Sequence, residues 1–164
     1  MKKQMRKSTA YLCRGAMIAA LYVVLTLLSS AMGLSSGVIQ FRLSEALCVM
    51  PVFTSAAIPG LAVGCLIANL VTGAPVWDVV FGSLATLLGA LGARALRKLP
   101  YLASLPTVIA NAAIIPPVLI YAYGVGDGWL FIVATVAVGE LVCCTGLGSM
   151  LTATLSKYGN RLFE

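Results

Sequence analysis

The sequence predicts an all-α integral membrane protein, a bundle of six transmembrane helices that forms one membrane domain over residues 1–164. Three observations carry this. Hydrophobic residues make up 60% of the chain and charged residues 10%, with a mean hydropathy of +1.01. An ordinary soluble domain is about 45–50% apolar and about 25% charged. The apolar residues fall into six runs punctuated by glycine, proline and basic clusters. The cations stand at the ends of those runs, where they orient a chain in a bilayer. The net charge of +6 is therefore not read as a nucleic-acid surface.

The first span covers about 10–32. The start MKKQMRKSTAYLCRGAMIAALYVVLTLL has the basic-then-apolar order of a signal peptide. No convincing cleavage site and soluble domain follow, so it is expected to remain as a helix. Gly33, Ser35, Ser36 and Gly37 make a loop. The second span, about 40–53, holds QFRLSEALCVMP and is too short to cross unaided a hydrocarbon layer of about 30 Å. The third, about 56–71, ends at Thr72-Gly73-Ala74-Pro75. The fourth runs over about 76–95, before the basic loop of Arg94, Arg97, Lys98 and Pro100. The fifth, about 102–123, contains Pro116-Pro117, which should kink it. The sixth covers about 129–155, long enough to tilt. No clean internal repeat is evident.

Six spans put both termini on one side. Ten of the eleven cations (Lys2, Lys3, Arg6, Lys7, Arg14, Arg94, Arg97, Lys98, Lys157 and Arg161) then share that side, and only Arg42 does not. The positive-inside rule makes it the cytoplasm of a multi-pass protein of the cell membrane. Asp127 falls outside. Five cysteines lie scattered among apolar residues without a CxxC pair, and there is no histidine. No metal or cofactor is expected, and the thiols are read as small buried apolar groups. The phosphate-loop pattern GxxxxGK[ST] is missing, so ATP hydrolysis by that route is excluded. No catalytic dyad stands out.

Ionisable and amide groups at membrane depth are the informative ones, since each charge there costs about 3 kcal/mol and seeks a partner or a cavity. The set is Arg42, Glu45, Asp78 and Glu140, with Asn69 and Asn111. Together with Trp77 they are the candidate ligand-binding residues of a pocket opening outward, a few polar groups in an apolar surround. Each has a plainer reading. Arg42 and Glu45, three apart on a helix, can pair with each other. Asn69 and Asn111 can be hydrogen-bonding glue between helices. Asp78 can be a solvated charge at a helix N-terminus. Trp77, Tyr121, Tyr123 and Trp129 fit an interfacial aromatic belt. Glu140, with no cation near it in sequence, has the weakest structural alternative. Ala16, Ala19 and Ala20, and again Gly60 and Gly64, give small-residue spacings for close helix approach, within the bundle or to a partner.

The run VIQFRLSEALCVMPVFTSAAIPGLAVGCLIANLVTG and the following DVVFGSLATLLGA resemble the QueT family, queuosine-precursor substrate-binding subunits (S components) of energy-coupling factor (ECF) transporters. The resemblance covers most of the chain, from AMIAAL through the last helix. It implies a six-helix bundle of the ECF S-component type. Such a subunit captures its ligand outside, docks on a transmembrane coupling subunit with two ATPase subunits, and topples to deliver the ligand inward. Ala16 and Ala20 match the AxxxA motif with which S components dock. The implied ligands are 7-deazaguanine bases such as queuine. Their adjacent N–H and amino donors suit a carboxylate, their carbonyl suits an amide donor, and an aromatic ring can stack on them. The alternatives are an S component for another vitamin-like nutrient and a self-sufficient secondary transporter; a membrane enzyme ranks behind both.

The charge pattern makes a direct prediction. In a cysteine-free background, Lys2→Cys should be shielded from an impermeant thiol reagent added outside intact cells, and Asp127→Cys should react. Labelling of position 2 from outside would overturn the topology.

Overall fold

The computed structural model describes residues 2–34, 41–124, 126 and 128–163, with side-chain surroundings for 8–34, 41–124, 126 and 128–157. Ser35, Ser36, Gly37, Gln40 and Asp127, and the side chains of Lys2, Lys3, Arg6, Lys7 and Arg161, lie outside the described residues. All regular structure among the described residues is helical. Helix α1 spans Lys2–Ala31. A 3-10 turn, Leu43–Val49, runs into the short α2, Met50–Phe53. Helix α3 spans Ala57–Val71 and α4 spans Val76–Ala95. A 3-10 turn at Pro100–Leu102 leads to α5, Leu105–Tyr123. Helix α6, Trp129–Glu140, passes through a π-helical stretch, Leu141–Leu147, into α7, Gly148–Phe163.

Four apolar helical stretches are long enough to cross a membrane: Ser8–Ala31, Val76–Ala95, Pro100–Tyr123 and Trp129–Lys157. Two are shorter, Leu43–Phe53 and Ala57–Val71. By their rises the short pair reach only about 20 Å, against about 30 Å for hydrocarbon. The predicted second span is thus a 3-10 segment joined to one α-helical turn. The predicted sixth is a helix with a π insertion. Helix α5 continues through Pro116 and Pro117. The outer surface is lined by exposed Leu12, Met17, Val24, Leu70, Ile109 and Leu130, among others. An apolar surface of that extent needs lipid around it.

Small residues set the helix spacing. A Cβ on Gly60 of α3 would lie 2.7 Å from the carbonyl oxygen of Gly15, and one on Gly64 would lie 2.9 Å from the Tyr22 Cβ and 3.0 Å from the Ala19 backbone. The Gly60/Gly64 spacing therefore serves packing of α3 on α1. Ile18, Ala19 and Tyr22 are buried there, while Ala16 and Ala20 remain exposed on the opposite side of α1. On α4, a Cβ at Gly89 would lie 2.5 Å from Thr107 Oγ1 of α5. In lipid, where tails are as apolar as leucine, such close backbone approach is what draws helices together. Arg94, at the end of α4, donates to the carbonyls of Pro51 (3.0 Å) and Val52 (3.1 Å). It thereby satisfies the open C-terminal end of α2.

Gly64→Val should force α1 and α3 apart and cost about 1–3 kcal/mol, read as a lower unfolding temperature in detergent. Gly146→Ala, where an added Cβ meets nothing within 4 Å, should leave that temperature unchanged.

Candidate ligand-binding site

Polar side chains from every part of the bundle turn inward to one place. On α4 the residues Asp78, Gly82 and Thr86 recur every four positions, so they share one helix face. Arg42 and Glu45 flank the start of the 3-10 turn, because the chain enters it extended at Arg42 and then tightens. Asn69 comes from the last turn of α3, Asn111 from the middle of α5, and Glu140 from the end of α6.

The cluster has two layers. In the first, Arg42 donates from Nη1 to Asn69 Oδ1 and from Nη2 to Asp78 Oδ2, each at 3.3 Å. Tyr123 donates its hydroxyl to the same Asp78 Oδ2 at 2.8 Å, and Asn69 Nδ2 donates to the Asp78 carbonyl at 3.1 Å. Asp78 is 2% exposed, so its charge is compensated by the guanidinium rather than by water. In the second layer Tyr22 donates to Glu45 Oε1, and the Cys144 thiol donates to Glu140 Oε2 at 3.0 Å. Beneath it, Thr26 bonds Ser44 at 2.8 Å and Ser29 accepts from the Leu43 amide at 2.9 Å, which pins the 3-10 turn to α1.

Between the layers lies a cavity walled by Arg42, Glu45, Gly82, Thr86, Asn111, Ile115, Val136 and Glu140. Its volume is about 30 Å³, room for about one water molecule. Ligand atoms of Glu45, Glu140 and Cys144 lie within 4.8 Å of one another, a spacing at which a cation can be held. Both carboxylates are oriented by neutral donors, the Tyr22 hydroxyl and the Cys144 thiol.

Of the seven residues singled out from sequence, Arg42, Glu45, Asn69, Asp78, Asn111 and Glu140 meet in this cluster. Trp77 does not. It is 61% exposed, stacks on Phe81 with ring centroids 5.9 Å apart, and lines a separate apolar groove of about 460 Å³ with Ile114, Pro117 and Tyr121. That groove faces away from the charges, on the apolar outer wall between α4 and α5. Two plainer readings fail. Arg42 makes its ion pair across helices with Asp78, not locally with Glu45, because it stands extended ahead of the 3-10 turn and so does not share a helix face with Glu45. Asp78 is buried and paired rather than a solvated helix-end charge. Asn69 both glues helices and orients Arg42.

Sequence reasoning missed Tyr22, Thr86, Cys144 and the inward turn of Tyr123. A tyrosine amid the aliphatic residues of a membrane helix was a usable signal for Tyr22, since its hydroxyl must find a partner in hydrocarbon. Cys144, one turn after Glu140, offered a weaker one.

The family profile described as "QueT transporter" matches residues 12–157 of the chain. A protein of Lactococcus lactis subsp. cremoris (strain MG1363), named "Queuosine precursor transporter QueT", is 40% identical over 84 residues. That match covers 51% of this chain and 49% of the relative, so the aligned part spans about half the relative's length. No solved structure matches significantly.

The Arg42–Asp78 pair yields a stability prediction. Arg42→Gln leaves a buried carboxylate without its cation and should cost about 3–5 kcal/mol. Adding Asp78→Asn should recover most of that loss, whereas Trp77→Ala should have little effect. Thermal unfolding of the purified proteins in detergent checks this; an unchanged midpoint for Arg42→Gln alone would remove the pair from the fold's supports.

Proposed function

The chain belongs to the QueT transporter family, and from that premise we propose that it is the substrate-binding membrane subunit of an ECF-type importer. It captures a queuosine precursor, a 7-deazaguanine base such as queuine, at the outer face of the cell membrane. The observation that carries this reading is the buried cluster itself: three carboxylates, one guanidinium and two carboxamides gathered inside an apolar bundle. Purely structural glue does not need that number of charges, whereas a heteroaromatic base with donors on one edge and a carbonyl beside them does.

Roles follow from hydrogen-bonding capacity. Glu140 accepts from the ring N–H and the exocyclic amine, a bidentate pair that charge strengthens. Glu45 lies beside it and takes the second amine hydrogen. Asn111 offers both an amide donor and an acceptor at the cavity wall. Arg42 has five N–H donors and spends two on Asn69 and Asp78, which leaves donors for the ring carbonyl. The cavity is smaller than such a base, so capture requires its walls to separate. Trp77, stacked on Phe81 at the outer wall, meets the ligand in this reading only in that wider state.

The chain in this reading has six spans, the two short helical segments included, and cytoplasmic termini. Energy comes from two ATPase subunits through a transmembrane coupling subunit. The exposed Ala16 and Ala20 offer that subunit a flat, small-residue face on α1.

One set of measurements tests binding and coupling separately. By calorimetry with queuine, Glu140→Gln should lose about 2–4 kcal/mol, roughly 30- to 1000-fold in affinity. Ala16→Trp and Ala20→Trp should bind queuine as the unaltered protein does but fail to transport it in the complete complex. An unchanged dissociation constant in folded Glu140→Gln would move the base edge to Glu45 and Asp78. Ion-gradient-driven uptake by this chain alone would favour a secondary transporter.

A further inference from the structure

Glu45 and Glu140 are left over when the charges of the buried cluster are paired. Among the described residues Arg42 is the only cation that lines the cavity, and its guanidinium is engaged by Asn69 and by its ion-pair partner Asp78. The two remaining carboxylates have neutral donors, the Tyr22 hydroxyl on Glu45 and the Cys144 thiol on Glu140. Two like charges brought close together inside an apolar bundle repel unless a cation stands between them.

The donor atoms suit one class of cation. A carboxylate oxygen from Glu45, one from Glu140 and the Cys144 sulfur lie within 4.8 Å of one another. Bonds of about 2.0–2.3 Å place tetrahedral ligands of zinc about 3.3–3.8 Å apart, so a small inward shift closes the set. The sulfur is already 3.0 Å from Glu140 Oε2. A thiolate among the ligands favours zinc over magnesium or calcium, which take oxygen alone. The cavity walled by both carboxylates has about 30 Å³, enough for an ion.

A second observation is independent of the charges. Thr107 Oγ1 is 1% exposed by residue and has no hydrogen-bond partner. Thr107 lines a narrow void with Tyr22, Glu45 and Thr86, and Glu45 and Thr86 also wall the cavity. A buried hydroxyl without a partner calls for one. A water completing the coordination of an ion at Glu45 would supply it.

We propose that Glu45, Glu140 and Cys144 form a binding site for a thiophilic divalent cation of the zinc class, seated between the two carboxylates. Binding replaces the Cys144 S–H bond by a sulfur–metal bond, and the proton leaves to solvent. The site itself is independent of the base-binding reading above. Its consequence rests on that reading: the carboxylates that hold the metal are those assigned to the base edge, so metal and base exclude each other and the metal inhibits capture.

Calorimetry with zinc chloride on the full-length, chelator-stripped chain in detergent tests the site. A single zinc should bind, with proton release read as an enthalpy that shifts with the ionisation heat of the buffer. Magnesium should not compete. Cys144→Ala and Glu45→Gln should each weaken zinc by more than the roughly 10- to 100-fold that loss of a supporting contact costs a metal site. Cys143→Ala removes a buried thiol outside the set and should leave zinc affinity unchanged. Should Cys144→Ala fail to fold, Cys144→Ser keeps the shape, removes the soft ligand and serves the same comparison. Absence of zinc binding, equal binding of magnesium, or an affinity that survives loss of Cys144 overturns the assignment. Queuine titrated into the zinc-loaded protein should displace the metal, and simultaneous binding of both would overturn the exclusion. Failure of queuine to bind even the metal-free protein overturns the base-binding reading, while the zinc titration still decides the metal site.

Discussion

Arg42 joins three helices from the entry to the 3-10 turn, its side chain mostly enclosed by the bundle. Its guanidinium reaches Asn69 of α3 and Asp78 of α4, and Asp78 in turn holds Tyr123 of α5. In water such an exposed pair would contribute little. In a bilayer the alternative to pairing is a bare charge in hydrocarbon, so the whole cluster must assemble or the helices cannot come together. The bundle therefore buries its charged and amide groups beside an apolar core, while many other leucines, valines and isoleucines face out.

That inward set is held in place by backbone features that do not look functional. Gly60 and Gly64 let α1 approach α3 until Tyr22 lies against Gly64 with its hydroxyl on Glu45. Without that approach Glu45 would lose its donor. Gly82 does the equivalent service on α4, since its bare backbone makes room for the Asp78 and Asn69 side chains. The two irregular segments stand at the same site. Glu45 rides a 3-10 turn, and the π-helical stretch begins immediately after Glu140 and contains Cys144. Such geometries have poorer hydrogen bonding than an α-helix and persist where they re-aim a side chain. Here they bring two carboxylates from distant parts of the chain within 4.8 Å of each other.

Much of this was legible in the sequence because lipid makes charges conspicuous. Arg42, Glu45, Asp78 and Glu140 stand out against apolar neighbours, and helix order alone brings them to a common interior. The boundaries of α4 were legible for a similar reason, with proline at one end and a basic cluster at the other. The partners were not legible. Pairing Arg42 with Glu45 follows from helical spacing, but Arg42 is extended ahead of the turn that carries Glu45 and does not share its face. Trp77 and Tyr123 both look like interfacial aromatics, yet Tyr123 reaches in to Asp78 while Trp77 stacks outward on Phe81. No periodicity distinguishes the two, because the choice depends on how α4 and α5 rotate against each other. The close fit of Gly89 on Thr107 sets that rotation.

The same close packing bears on the proposed capture of a base. A cavity of about 30 Å³ between tightly apposed helices cannot admit a bicyclic base without separating walls that are bonded to one another. The Arg42 bridge would have to exchange its bonds with Asn69 and Asp78 for bonds to the ligand. A ligand with the complementary donors and acceptors makes that exchange nearly neutral, since charge-assisted bonds broken are replaced by charge-assisted bonds formed. In the proposed cycle, release inward is the uphill step, because it must return those groups to each other with no ligand to assist. Nothing in the sequence resembles a nucleotide-binding loop that would drive it. The exposed alanine face of α1 lies on the helix whose opposite side carries Tyr22, the donor to Glu45. In the proposed complex, a coupling subunit that grips that face would act on the very helix that orients Glu45, a direct mechanical route from docking to the buried cluster.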